Sequence, residues 1–146
     1  MAIQRMDHVS VVVDDLEAAK AFFVELGMEV EGTAPIEGRS VDRLNAIDGI
    51  RVDIAMMRVP GTSDGLELTK FHTPPAIGAD QAAAPPNALG LRSVMFAVDD
   101  LDDTLARLRP HGAELVGKVE QFENGYRLAY VRGPAGIIVA LAEQLG

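Results

Sequence analysis

Glu67 is the side chain whose setting most demands an explanation. It stands between Leu66 and Leu68 in a segment, Gly65-Leu66-Glu67-Leu68-Thr69-Lys70-Phe71, that reads as a half-buried strand. A carboxylate carried inward by such a strand is costly to desolvate, so it must be paired or line a cavity. His8 opens the apolar run 9–13 and has two readings. It is either a strand-entry histidine that hydrogen-bonds backbone or, close to Glu67, an acid–base partner for it. Tyr126, Arg127 and Tyr130 fall together on one later strand segment. A guanidinium there suits a ligand carboxylate or phosphate, and the tyrosines offer flat walls with a hydroxyl. The alternative is that the tyrosines pack within the strand and Arg127 is solvated. The chain has no cysteine, so disulfides and thiolates are excluded and any metal site must be made from His, Asp and Glu. The acidic run Asp99-Asp100-Leu101-Asp102-Asp103 lacks the glycine and closing glutamate of a calcium loop, and helix capping explains it better.

These residues are positioned by an internal repeat. His8 to Val30 (HVSVVVDDLEAAKAFFVELGMEV) aligns without a gap with Ser93 to Leu115 (SVMFAVDDLDDTLARLRPHGAEL), at a constant offset of 93 − 8 = 85. Val9/Val94, Val13/Val98, Asp14/Asp99, Asp15/Asp100, Leu16/Leu101, Ala21/Ala106, Gly27/Gly112 and Glu29/Glu114 are identical pairs. In each copy a β-branched run predicts a buried strand, and one residue of the following Asp-Asp can N-cap a helix. The helices carry apolar stripes, Leu16, Ala19, Phe22, Phe23 and Leu26 in the first and Leu101, Leu105 and Leu108 in the second. Gly27 and Gly112 end them. Three strand segments follow each helix, about 28–34, 50–59 and 65–72, then about 113–119, 126–132 and 136–143. The Pro- and Ala-rich stretch 74–89 reads as a linker. The expectation is an α+β fold of two βαβββ modules, about 1–73 and 90–146, in a single domain of 146 residues. One amphipathic helix covers one face of each sheet, so the other face must be buried or shape a cavity.

Composition bounds the function. Hydrophobic residues make up 48% and charged residues 24%, which argues for a globular chain rather than a disordered one. The formal net charge of −9 argues against nucleic acid as a partner, since phosphate binding needs a Lys/Arg surface, and favours solubility. No apolar run approaches the roughly 20 residues needed to span a bilayer, so no membrane partner is expected. The first residues lead straight into a strand pattern without a signal-peptide core, and the expected location is the cytoplasm.

The segments DHVSVVVDDLEAAKAFFVELG, GLELTKF, VMFAVDDLDDTLARLRPHGAEL and GPAGIIVALAE together resemble the vicinal oxygen chelate superfamily of glyoxalases, bleomycin-resistance proteins and extradiol dioxygenases. The resemblance extends over nearly the whole chain outside the linker and the loop near 35–49. It implies a cupped mixed β-sheet with helices on the outer face. In many members the cup holds a divalent metal (Zn, Ni, Mn, Co or Fe), bound by one residue from the first and one from the last strand of each unit. Carried over, those positions are His8 and Glu67 in the first unit and Ser93 and Ala140 in the second. A hydroxyl is a poor ligand and alanine is none, so the implied metal set is incomplete, and rescue would need a loop carboxylate such as Glu123 or a residue from a second chain.

By strand alternation the implied cup is lined by His8, Ser10, Val12, Glu67, Thr69 and Phe71 from the first unit. Ser93, Met95, Ala97, Ile138, Ala140 and Ala142 line it from the second, with Tyr126 and Arg127 at the mouth. One half is polar, and the other is made of small apolar side chains that leave room for a ligand with an apolar portion. The resemblance therefore implies a small-molecule enzyme of the glyoxalase (lactoylglutathione-lyase) or epimerase kind. Glu67 would remove a proton next to a carbonyl, and His8 would hold a metal or donate a hydrogen bond. The alternative is a metal-free binding protein of the antibiotic-sequestering kind. A dioxygenase, which needs two histidines and a carboxylate on iron, is the poorest fit because Ser93 replaces the second histidine. Related chains pair as homodimers, and an open sheet face gives a physical reason for that.

Overall fold

Val9, Val11 and Val13 turn one way and His8, Ser10 and Val12 the other, and this alternation organises the first half of the molecule. The computed structural model describes residues 2–78, 84–123 and 125–146, and it divides into two units, Met1–Ile77 and Gly78–Gly146. The first unit runs β1 (Val9–Val12), α1 (Leu16–Leu26), β2 (Glu29–Glu37), α2 (Arg39–Asn45), β3 (Arg51–Arg58) and β4 (Gly65–Thr73). Its sheet has the order β1-β4-β3-β2, with β1 parallel to β4 and the other pairs antiparallel. Helix α1 starts where Asp15 accepts a hydrogen bond from the Ala18 N–H at 3.0 Å. It ends at Gly27, whose φ of 125° is cheap only for glycine. Its buried face, Ala19, Phe22 and Phe23, packs toward β3 and β4, over Val11, Ala55, Met57, Leu66 and Leu68. The two phenylalanine rings meet edge-on at 5.1 Å. Full burial of each such side chain contributes about 1.5–3 kcal/mol, so this stripe fixes which face of the sheet is closed.

The second unit repeats the plan with β5 (Ser93–Val98), α3 (Leu101–Leu108), β6 (Glu114–Leu115), β7 (Glu120–Phe122), β8 (Tyr126–Arg132) and β9 (Ile138–Gln144). Its sheet order is β5-β9-β8-β6, and β7 also pairs with β8. Asp100 caps α3 by accepting from the Asp103 N–H at 3.0 Å. A single 3₁₀ turn, Arg109–His111, carries the helix to Gly112 at φ 92°. Leu101, Leu105 and Leu108 are buried, together with Ala129, Val131, Val139 and Leu141 of the sheet.

The α+β class and the twofold βαβββ order are as expected, with three local differences. Strand β2 continues to Glu37, past position 34. Helix α2 arises where the sequence shows no apolar stripe, and none of its residues is buried. It is held by Asp42, whose carboxylate accepts from the Gly49 and Ile50 N–H groups, each at 2.9 Å. The strand expected over 113–119 is reduced to the two residues of β6, and β7 begins only after it, at Glu120. Glu114, Leu115, Gly117 and Lys118 are exposed, so no buried face enforces a continuous ladder. Within the 74–89 stretch, 79–83 lie outside the described residues, and 84–89 carry neither helix nor strand. Among the described residues no helix is long and apolar enough to cross a membrane.

Candidate functional site

The parallel pairing of β1 with β4 sets Ser10 beside Glu67 and Val12 beside Thr69. The antiparallel pairing of β4 with β3 sets Met56 beside Glu67 and Ile54 beside Thr69. All six point to the face opposite Leu66 and Leu68, away from α1. Glu67 is held there by one of its two oxygens. Oε1 accepts hydrogen bonds from the Thr69 hydroxyl at 3.0 Å and from the Ser10 hydroxyl at 3.3 Å. Oε2 faces His8 Nε2 at 3.5 Å, with the His8 and Glu67 side chains 30% and 24% exposed. The pair is therefore sheltered by the sheet and still open to a small molecule. Phe71 lies two residues beyond Thr69 on the same strand face and is half-buried.

His8 has a second partner that sequence reasoning missed. Its Nδ1 lies 2.8 Å from Asp7 Oδ1, and Asp7 Oδ2 accepts from Arg5 Nη2 at 2.9 Å. The hydrogen bond to His8 and the one from Arg5 hold the Asp7 carboxyl below its ordinary value of 3.8. The signal was present as Arg5-Met6-Asp7-His8, an acid next to a candidate site histidine with a cation two residues before it. His72, five residues from Glu67, turns to the other face and pairs with Asp53 at 2.8 Å.

In the second unit Ser93 and Met95 are exposed on the β5 face away from α3. Met95 and Tyr130 flank Ala140 from either side, and Tyr126 lies on the same face of β8 as Tyr130. Two expectations need correction here. Ala140 has 0% exposure, so it is a covered residue and offers no surface to a ligand. Arg127 does not stand with the tyrosines, because one-residue alternation sends it to the α3 side of the sheet. There it grips Asp102 of α3 through Nη2–Oδ1 at 3.0 Å and Nη1–Oδ2 at 3.2 Å, with Glu143 at 3.9 Å. The hydrogen bonds between the two pull Asp102 below its ordinary value and raise Arg127. Glu143 in turn accepts from the Leu101 N–H at 2.7 Å, closing the N-terminus of α3. Arg127 is thus a strut between helix and sheet.

His8 Nε2 and Glu67 Oε2 are the two donors this face offers a divalent metal. No group of three or more His, Asp or Glu able to hold an ion is present among the described residues. A set of two does not fit a resident metal, and no step below is routed through one.

Comparison with known proteins agrees with this architecture. The family model described as Glyoxalase/Bleomycin resistance protein/Dioxygenase superfamily matches residues 5–141. The crystal structure of a glyoxalase family protein from Bacillus cereus is 49% identical, covers 100% of this chain and 99% of its own, and superposes with a TM-score of 0.94. An antibiotic binding protein from Streptomyces sp. CB03234 is 25% identical over 99% of this chain and 98% of its own, with a TM-score of 0.62. The uncharacterized protein YaeR of Escherichia coli (strain K12) is 25% identical over 99% of both chains.

Proposed function

Since the chain belongs to the Glyoxalase/Bleomycin resistance protein/Dioxygenase superfamily, we propose that it is a small-molecule enzyme of the glyoxalase or epimerase type in which Glu67 removes a proton from a carbon next to a carbonyl. The observation that carries this reading is the asymmetry of the Glu67 carboxylate. Oε1 is tied by two hydroxyls, while Oε2 is turned to an open face beside His8. A base anchored through one oxygen presents the other at a fixed position, which is what proton abstraction needs. Met56 lies beside Glu67 and Ile54 beside Thr69 on the neighbouring strand, apolar side chains suited to a ligand with an apolar portion. The protein acts as a homodimer in this reading. The test is exchange of the acidic C–H of carbonyl compounds bearing aryl or branched-alkyl groups, followed by NMR in D₂O. Wild-type protein catalyses exchange for at least one of them, and Glu67→Gln binds the same compound without exchanging it.

A second reading is sequestration without turnover. It is favoured by the likeness to the Streptomyces antibiotic binding protein and by the exposed side chains of Met95 and Tyr130, one on either side of Ala140 on the open face of the second sheet. It expects ligand binding that survives Glu67→Gln, with no exchange in either protein. A dioxygenase is the weakest reading, because Ser93 stands where a second histidine would be needed.

A further inference from the structure

We propose that Arg58 binds the carbonyl oxygen of the ligand and so stabilises the enolate formed when Glu67 takes the proton. The proposal rests on the reading of Glu67 as the base. Arg58 ends β3 on the open face of the sheet, two residues beyond Met56, and pairs in register with Gly65. The backbone of Gly65 does not call for glycine, because its φ lies outside the left-handed region. What calls for glycine there is space. A Cβ at position 65 would stand 2.9 Å from Arg58 Nη1, 3.3 Å from its Cζ and 3.1 Å from the Met57 carbonyl oxygen. The guanidinium thus lies across the strand where a side chain would otherwise be. The second unit supplies the comparison. Arg132 ends β8 and pairs with Ile138. Both arginines donate from Nη1 to a carbonyl of the turn that follows, Ser63 for Arg58 and Gly136 for Arg132. Turn closure is therefore common to the two. The glycine beside Arg58, and the Glu31 that binds it, are special to the unit that carries Glu67, since Ile138 and Val116 stand at the corresponding positions of the second copy.

Glu31 holds the guanidinium in a fixed orientation. It is the extra residue of the β2 bulge between Val30 and Gly32, and its carboxylate accepts from Arg58 Nε at 2.5 Å and from Nη2 at 3.1 Å. Of the five N–H donors of a guanidinium, Glu31 takes two and the Ser63 carbonyl one. One hydrogen is left on each terminal nitrogen, and the side chain is 21% exposed, open enough for a small molecule. The carboxylates of Glu31, Asp7 and Asp64 all act on the charge of Arg58, so a full anion gains little here. A neutral carbonyl oxygen gains as negative charge develops on it. Gly65 and Glu67 share one strand face about 7 Å apart. Glu67 Oε2 faces His8, which precedes Val9 and so flanks Gly65. A carbonyl group with its adjacent carbon bridges that span. Oε2 takes the proton, the C–H pair becomes the new C=C bond, and the carbonyl π pair moves onto the oxygen held by Arg58. Return of a proton to carbon, or of a deuteron in D₂O, restores the carbonyl compound.

The probe is phenylacetone labelled with ¹³C at the carbonyl. Bound to Glu67→Gln, which does not exchange it, its infrared C=O band is expected at lower frequency than in the double variant that adds Arg58→Met. Deuterium exchange of the same probe falls by about 10²–10³-fold in Arg58→Met alone, the usual cost of removing one oxyanion donor. Gly65→Ala keeps every charge and displaces the guanidinium, and exchange falls in the same direction. Arg132→Met gives up the matching turn contact in the second unit and leaves both band and exchange as in the parent protein. The proposal is overturned by a band that is the same with and without Arg58, by exchange in Arg58→Met equal to that of wild type, or by failure of the probe to bind wild type. The band requires no turnover, so the two readings separate. A band lowered by Arg58, in a protein that exchanges nothing, upholds Arg58 as the carbonyl donor and contradicts Glu67 as the base.

Discussion

Replacing Thr69 by valine removes a single hydroxyl from the candidate site and keeps the branched shape that the strand favours. Thr69 is buried, with 7% exposure, so the new methyl meets no solvent. Glu67 Oε1 loses its 3.0 Å hydrogen bond and keeps only the 3.3 Å contact from Ser10. Hydrogen bonds to charged groups are worth about 1.5–3 kcal/mol. Water reaches part of the Glu67 side chain and recovers some of that, which sets the expected loss at about 1–1.5 kcal/mol. At about 2–4 °C per kcal/mol for a chain of this size, Tm falls by about 2–6 °C. The assay is urea unfolding of wild type, Thr69→Val, Glu67→Met and the double variant. A coupling energy of about 1 kcal/mol is expected, because the second substitution removes the acceptor that the first leaves unserved. If the two effects add to within about 0.5 kcal/mol, Thr69 does not hold Glu67 and the one-oxygen anchoring of the base is wrong.

Other outcomes follow from the same geometry. Arg127→Gln lowers thermal stability by loosening α3 from the sheet while leaving ligand affinity unchanged, measured by thermal melts alongside titration calorimetry. Lost affinity in a protein of unchanged stability would return Arg127 to the ligand site. Asp42, held below its ordinary value of 3.8 by the N–H groups of Gly49 and Ile50, contributes stability that is fully present above that value. This contribution disappears as pH falls through the depressed one. Acid unfolding of Asp42→Asn is therefore less steep than that of wild type across this low-pH window, and parallel curves would contradict the assignment. Zn²⁺ or Ni²⁺ added to purified protein raises Tm only slightly and without saturating at one equivalent. A tight stoichiometric ion would show that the donor set is larger than His8 and Glu67.

Much of the fold was legible in the sequence because each unit writes its signals locally. The Asp-Asp pair, the apolar stripe and the closing glycine occur twice in register, and the caps at Asp15 and Asp100 sit where that pattern put them. Helix α2 was not legible, since it is held by one aspartate reaching two backbone N–H groups seven and eight residues on. The site was partly legible. Period-two alternation grouped Ser10, Glu67 and Thr69, because the parallel register of β1 and β4 keeps their faces aligned. The same rule, applied to Tyr126, Arg127 and Tyr130, separates the arginine from the tyrosines, and grouping them by proximity alone overlooked it. Asp7 escaped because it precedes β1, where strand alternation no longer says which way a side chain turns. The covering of Ala140 depends on what its neighbours' side chains do, which spacing alone does not reveal.

The central claim is that Glu67 takes a carbon-bound proton next to a carbonyl. It is tested most directly by proton–deuterium exchange in D₂O on a carbonyl compound shown by calorimetry to bind the wild-type protein. Exchange by wild type that falls by about 10²–10⁴-fold in Glu67→Gln, with binding retained, is the predicted result. Equal exchange by both proteins, or tight binding with no exchange by wild type, would contradict it.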